Sequence, residues 1–101
     1  MGVSIFCGAA VAQAVDVPAA EDLIKASKCS KCHSVDKEKT GPAYNKTAAK
    51  YKGQADAEAK LITHLTTGPK IKVDGEEEEH VKVKSTDAAA IKNLAQYILS
   101  R

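Results

Sequence analysis

Aromatic side chains are scarce in this sequence, and tryptophan is missing altogether. Aromatic residues make up 4% of the 101 positions, namely Phe6, Tyr44, Tyr51 and Tyr97. A chain of this length forms one domain and buries only a modest part of the surface that its unfolded form exposes. Because large aromatic side chains contribute much of the buried area in small cores, this core needs a further apolar component.

A strong excess of either charge is also missing. The chain has 15 Lys and Arg against 13 Asp and Glu residues, and its net charge of +2 is too small to favour nucleic-acid binding. The acidic residues are unevenly placed, since Asp74 and the run from Glu76 to Glu79 lie in one short stretch. The rest of the surface is therefore rich in lysine.

No apolar run is long enough to cross a membrane, for which about 20 residues are needed. Residues 1–14 are mainly apolar and end in Ala12-Gln13-Ala14, the small-residue pattern of a signal-peptidase site. We expect residues 1–14 to be a signal peptide with a truncated start, because a basic residue is missing there, and residues 15–101 to be the mature domain. Cleavage after Ala14 would remove Cys7 and leave two cysteines. The alternatives are a buried N-terminal helix and, less favoured because a bulky residue precedes it, a lipid anchor at Cys7.

Helical patterns dominate the remaining chain. Apolar spacing, capping residues and glycine or proline stops predict helices over about residues 18–28, 45–52, 54–67 and 87–99. The last is the clearest, with Thr86 as its cap and an apolar stripe that needs a partner. The first predicted helix offers that partner.

Residues 70–84 show a different pattern. Apolar and polar residues alternate on both sides of a turn signal at Asp74-Gly75, with Ile71 and Val73 before it and Val81 and Val83 after it. Such alternation indicates extended chain, and a short hairpin is one way to arrange it. Because consecutive glutamates are poor strand formers, we expect Glu76 to Glu79 to form a solvated loop between extended arms.

The segment Cys29-Ser30-Lys31-Cys32-His33 is a C-x-x-C-H motif. At this spacing two thiols can add to the two vinyl groups of one haem while the adjacent histidine reaches the iron. His33 would then place a neutral imidazole nitrogen on the metal. Cys29, Cys32 and His33 are therefore our candidates for covalent haem attachment and for the proximal iron ligand.

Three other interpretations of the motif are less favoured. A thioredoxin-like redox pair requires a preceding strand in a βαβ unit, which the pattern does not show. A zinc site would need two further ligands, and only His64 and His80 could supply them. A plain disulfide gives no reason for the adjacent His33.

From about Pro18 to Arg101 the sequence resembles the small bacterial class I cytochromes c. Four blocks follow each other in the family's order: EDLIKASKCSKCHSVD, TGPAY, YKGQADAEAKLITHLTTG and STDAAAIKNLAQYILS. The resemblance implies an all-α class I cytochrome c fold, with three to five helices wrapped around one covalent haem c. The first and last helices would cross, so that Ile24 packs near Leu94 and Tyr97.

The resemblance also implies roles for single residues around the haem. Pro42 would offer its carbonyl oxygen to the Nδ1 hydrogen of His33 and so fix the tautomer of that ligand. Tyr44 would lie close to the haem. His64 would lie near a haem propionate, where its charge would make the reduction potential depend on pH; an ordinary boundary histidine is the plainer interpretation.

Methionine is missing beyond Met1. Most members of the family bind the far side of the iron through a methionine in the loop before the last helix, so the sequence excludes that ligation. His80 stands at about the methionine's place, and the simplest inference is a bis-histidine haem. Lys82 and Lys84 are further candidates at high pH, and a merely solvated His80 is the plain alternative. A strand through this segment would turn His80 away from the core, whereas coil would not.

These features predict a periplasmic one-electron carrier that performs no substrate chemistry. A second imidazole in place of methionine lowers the reduction potential, and the charges of Glu76 to Glu79 would act in the same direction if they are more than a solvated loop. Lys25, Lys28 and Lys31 lie near the motif and could dock redox proteins transiently, although scattered surface lysines would look the same. We expect a monomer that is not an integral membrane protein and does not bind nucleic acid.

A second function follows if His80 does not bind the iron. The haem would then have an open sixth position and could bind a small gas ligand or react with peroxide. A low-spin or a high-spin spectrum distinguishes the two possibilities.

Overall fold

The computed structural model describes residues 14–101. Its elements are helices α1 (Val17–Ala26), α2 (Tyr44–Tyr51), α3 (Ala57–Thr67) and α4 (Ala88–Leu99), a 3-10 turn (Cys29–Lys31), and strands β1 (Lys70–Val73) and β2 (Glu76–Glu79). The predicted helical fold with three to five helices is confirmed, with one small hairpin added. The predicted signal peptide lies outside the described residues, apart from Ala14.

Helices α1 and α4 pack against each other, as the resemblance implied. Ile24, Leu94 and Tyr97 are buried in one core cluster, which confirms their predicted proximity. Helix α4 also contacts α2 and α3, so its apolar stripe forms the centre of the core. No helix in residues 14–101 is both long and apolar enough to span a bilayer.

Several helix ends differ from their predicted positions, among them the start of α3, which lies at Ala57 rather than near Gln54. Helix α1 ends at Ala26 rather than near Lys28, because Lys28 adopts a left-handed backbone with φ of 60° that a helix cannot continue through. Thr86 is not the cap of α4. That role belongs to Asp87, whose side chain accepts a hydrogen bond from the Ala89 N–H.

The expectation that the four glutamates form a loop is wrong. Strand β2 consists of Glu76–Glu79 and pairs antiparallel with β1, in a register that sets Lys70 opposite Glu79 and Lys72 opposite Glu77. Opposite charges across a strand pair are favourable, and they offset the poor strand propensity of glutamate. The glutamates remain exposed to solvent.

Candidate haem site

The two cysteines of the motif flank the 3-10 turn that follows α1: Cys29 begins this turn and Cys32 directly follows it. Cys29 is half-buried and Cys32 is exposed, and both are free thiols. Burial raises the pKa of the Cys29 thiol. Both sulfur atoms are thus available for the covalent attachment that the motif predicts.

His33 is oriented by a backbone carbonyl. Its Nδ1 atom lies 2.7 Å from the carbonyl oxygen of Pro42. Since a carbonyl only accepts hydrogen bonds, Nδ1 must carry a hydrogen, which leaves Nε2 as the ring nitrogen that can bind a metal. Metal-binding histidines are commonly held in this way, with the other ring nitrogen bonded to an outer partner.

Gly41 lets the chain pass directly beneath this ring. A Cβ atom at Gly41 would come within 3.0 Å of three ring atoms of His33. The Gly41 N–H also donates to the carbonyl oxygen of Cys32 at 2.6 Å. The glycine is therefore required by the position of His33. In the sequence it stands only within Thr40-Gly41-Pro42, a combination typical of a turn.

Tyr44 covers one side of the His33 ring. The two ring centroids are 5.5 Å apart and the planes differ by 22°, while Tyr97 meets Tyr44 edge-on at 6.4 Å. The Tyr44 hydroxyl is buried without a hydrogen-bond partner in the described residues, and burial raises its pKa. An unpaired buried phenol is unfavourable in the protein alone, which fits a site that a polar edge of a bound group completes.

His80 begins a coil segment, residues 80–84, that we call the strap. Its backbone is tied to the end of α3, since the His80 N–H donates to the Pro69 carbonyl and the Val83 N–H to the Leu65 carbonyl, both at 2.8 Å. Val81 is 67% exposed, whereas Val83 packs against the core. The strap is coil and not a strand, so the objection that a strand would turn His80 outward does not apply.

The rings of His33 and His80 lie close together, with centroids 6.2 Å apart and planes tilted by 45°. A histidine nitrogen binds a transition metal at about 2.0 Å, and a five-membered ring with bonds of about 1.33 Å has a radius of about 1.1 Å. Two imidazoles on opposite sides of one metal ion therefore have centroids about 6.2 Å apart. The buried Nδ1 of His80 has no hydrogen-bond partner in the described residues. The residues present thus fit a metal held between the two rings.

The side chain of His64 packs against that of His80. The two ring centroids are 4.3 Å apart in an edge-on arrangement. Burial lowers the pKa of His80, and burial together with the nearby His80 lowers the pKa of His64. Both imidazoles therefore favour the neutral form, which is the form that binds metals.

Sequence reasoning also missed Ser27, which connects the two sides of the site. Its hydroxyl oxygen accepts the N–H of Lys84, the last residue of the strap, at 2.8 Å. In the sequence, Ser27 lies on the apolar face of the first predicted helix, which predicts its burial but not its hydrogen-bond partner.

The lysines predicted to dock redox proteins, Lys25, Lys28 and Lys31, are exposed near the motif.

Comparison with known proteins identifies the family of this chain. A family model described as cytochrome c matches residues 18–101. Cytochrome c-551 of Pseudomonas denitrificans is 48% identical over 50 residues, which is 50% of this chain and 61% of that protein. Cytochrome c-551 of Pseudomonas aeruginosa is 41% identical over 61 residues, which is 60% of this chain and 59% of that protein. The matched stretches span less than two thirds of these curated relatives.

Solved structures match over more of their length. The class 1 cytochrome MtoD from Sideroxydans lithotrophicus ES-1 superposes with a TM-score of 0.83 at 57% identity, covering 86% of this chain and 97% of that one. Cytochrome c552 of Nitrosomonas europaea superposes with a TM-score of 0.62 at 29% identity, covering 79% and 96%. With its C-x-x-C-H motif, its helical fold and these matches, the chain belongs to the cytochrome c family, as a class I member with one covalently bound haem c.

Proposed function

We propose that this protein is a one-electron carrier in which His33 and His80 hold the haem iron from opposite sides. The observation that carries the proposal is the 6.2 Å separation of the two imidazole rings, which suits one metal ion between them. No methionine is present beyond Met1, so no thioether in the mature domain competes with His80. The bound haem supplies the reversible one-electron chemistry.

The surrounding residues keep this site fixed while the charge on the iron changes. Cys29 and Cys32 would hold the group covalently, and Pro42 fixes the tautomer of His33. The backbone bond from the His80 N–H to Pro69 holds the other ring. Because hydrogen bonds hold the His33 ring and the backbone that carries His80, little rearrangement is needed on oxidation or reduction.

The wild-type protein is expected to be low-spin in both oxidation states and to lack the methionine-to-iron absorption band. Its reduction potential should lie below that of family members with His/Met ligation, because a second imidazole favours ferric iron relative to methionine. The exposed glutamates beside His80 act in the same direction. Absorption spectra with a redox titration test the proposal, and a potential as high as that of His/Met cytochromes would contradict it.

Electron exchange is proposed to take place with other redox proteins, through transient docking at the lysines near the motif. Lys25→Glu should slow oxidation of the reduced protein by ferricyanide about two- to fivefold at low ionic strength, because attraction of the anion is lost. Lys92→Glu is the matched control, with the same charge change on an exposed position of α4. Equal effects of both variants, or an effect that persists in high salt, would rule out local steering.

We also propose that the protein is exported to the periplasm. The predicted cleavage site after Ala14 supports this location. N-terminal sequencing of the mature protein tests for cleavage after Ala14. A mature protein that still begins at Met1 would contradict the proposed export.

A further inference from the structure

Ser27 ends helix α1 with its side chain in the interior. It is 4% exposed and is the only polar residue among the buried residues of the described chain. Its backbone is still helical, with φ of −91° and ψ of 0°, and its N–H donates to the Leu23 carbonyl. The hydroxyl makes no hydrogen bond to its own helix in residues 14–101, so its burial has another reason.

The hydroxyl oxygen holds the strap. It accepts the backbone N–H of Lys84 at 2.8 Å, across 57 positions of sequence. The other two backbone bonds of the strap lead to Pro69 and Leu65, at the end of α3. The Ser27 bond is thus the one hydrogen bond that joins the strap to α1 within residues 14–101.

We propose that Ser27 is a positioning residue that keeps His80 at the iron. The inference rests on the proposed bis-histidine ligation. Ser27 lies two positions before Cys29, so it ties the segment that carries His80 to the segment that anchors the haem. Without the hydroxyl, the part-buried Lys84 N–H would lose its protein acceptor, and movement of the strap toward water would let it regain a hydrogen bond. The open state of the strap would then be more populated.

Carbon monoxide binding to the ferrous holoprotein measures that open state. Carbon monoxide can reach the iron only while His80 is detached, so its binding rate scales with the open fraction. Ser27→Ala is expected to bind carbon monoxide about five- to tenfold faster than the wild type. The Lys84 amide should also exchange its hydrogen faster in this variant, whereas the His33 side of the site should be unchanged.

Ser27→Thr and Ser27→Val isolate the hydroxyl, because the two side chains have nearly the same shape and only threonine keeps the oxygen. The Ser27→Thr variant should bind carbon monoxide about five- to tenfold more slowly than the Ser27→Val variant. Equal rates for these two variants would overturn the role of the hydroxyl, whatever the outcome for alanine. This comparison also removes any general effect of changing side-chain volume at a buried position.

Ser100→Ala is the matched control. Ser100 ends helix α4 with φ of −93° and ψ of 0°, and its hydroxyl donates to the Tyr97 carbonyl of its own helix at 2.8 Å. The Ser100→Ala variant should lower the midpoint temperature of thermal unfolding without changing the rate of carbon monoxide binding. If Ser27→Ala binds carbon monoxide at the same rate as the wild type or Ser100→Ala, the role of Ser27 is contradicted, while the proposed bis-histidine ligation is not. Rapid binding by the wild type itself would contradict the bis-histidine ligation on which the inference rests.

Discussion

Replacing His80 with alanine is expected to turn a low-spin haem protein into a high-spin one that binds carbon monoxide about a hundredfold faster. In the wild type, the imidazole 6.2 Å from His33 must leave before a gas can bind, and such minor open states are populated at about 0.1–10%. Removing the side chain makes the open state permanent. Absorption spectra and stopped-flow mixing of the ferrous protein measure both effects.

His64→Ala is the natural control for this experiment, because the His64 ring is packed 4.3 Å from that of His80. We expect His64→Ala to stay low-spin. Added imidazole should restore a low-spin spectrum to His80→Ala, since it can occupy the vacated position. If His64→Ala becomes high-spin and His80→Ala does not, His64 is the ligand. If neither variant changes, the distal ligand is neither histidine.

Gly41→Ala is expected to destabilise the holoprotein by about 3 kcal/mol and to disturb the ligation by His33. A methyl group at this position would come within 3.0 Å of three ring atoms of His33. The ring cannot move away without lengthening its 2.7 Å contact with the Pro42 carbonyl. Denaturant unfolding followed by haem absorbance measures the stability, and the ferric spectrum reports the ligation.

Gly53→Ala separates this effect from backbone strain. Gly53 has φ of 82°, and a Cβ atom there would meet nothing within 4 Å. The alanine should therefore cost about 1–2 kcal/mol of backbone energy and leave the haem spectrum unchanged. Gly41 is not among the positive-φ glycines of the described chain. A smaller loss of stability in Gly41→Ala than in Gly53→Ala would show that the His33 ring does not require the glycine.

The sequence predicted the features that short-range spacing determines. The C-x-x-C-H motif places two thiols and an imidazole within five positions, and helical periodicity gave the last helix with its partner α1. The packing of Ile24 with Leu94 and Tyr97 followed from the resemblance to the family and is confirmed by the core. Fold class and cofactor could therefore be predicted before any coordinates were known.

Features that depend on contacts between distant segments could not be predicted in this way. Glutamate has a low strand propensity, yet Glu77 and Glu79 lie opposite lysines of β1, and this pairing overrides the local preference. Thr86 and Asp87 are both good caps, and only the backbone geometry assigns the role to Asp87. Likewise, nothing in the sequence joins Ser27 to Lys84, because that bond exists only once the strap lies against α1.

The contact that orients His33 and the contact that joins the strap to α1 close very different lengths of chain. The contact of His33 with Pro42 spans nine positions, whereas the bond between Ser27 and Lys84 spans 57. Closing the longer loop costs about 1.6 kcal/mol more chain entropy. The proximal half can therefore form early in folding from a short stretch of chain, and the attachment of the strap to α1 is the first to be lost when the protein partly unfolds. Mild denaturing conditions should thus change the spin state before they melt the helices, so the iron would report on the folding of this chain.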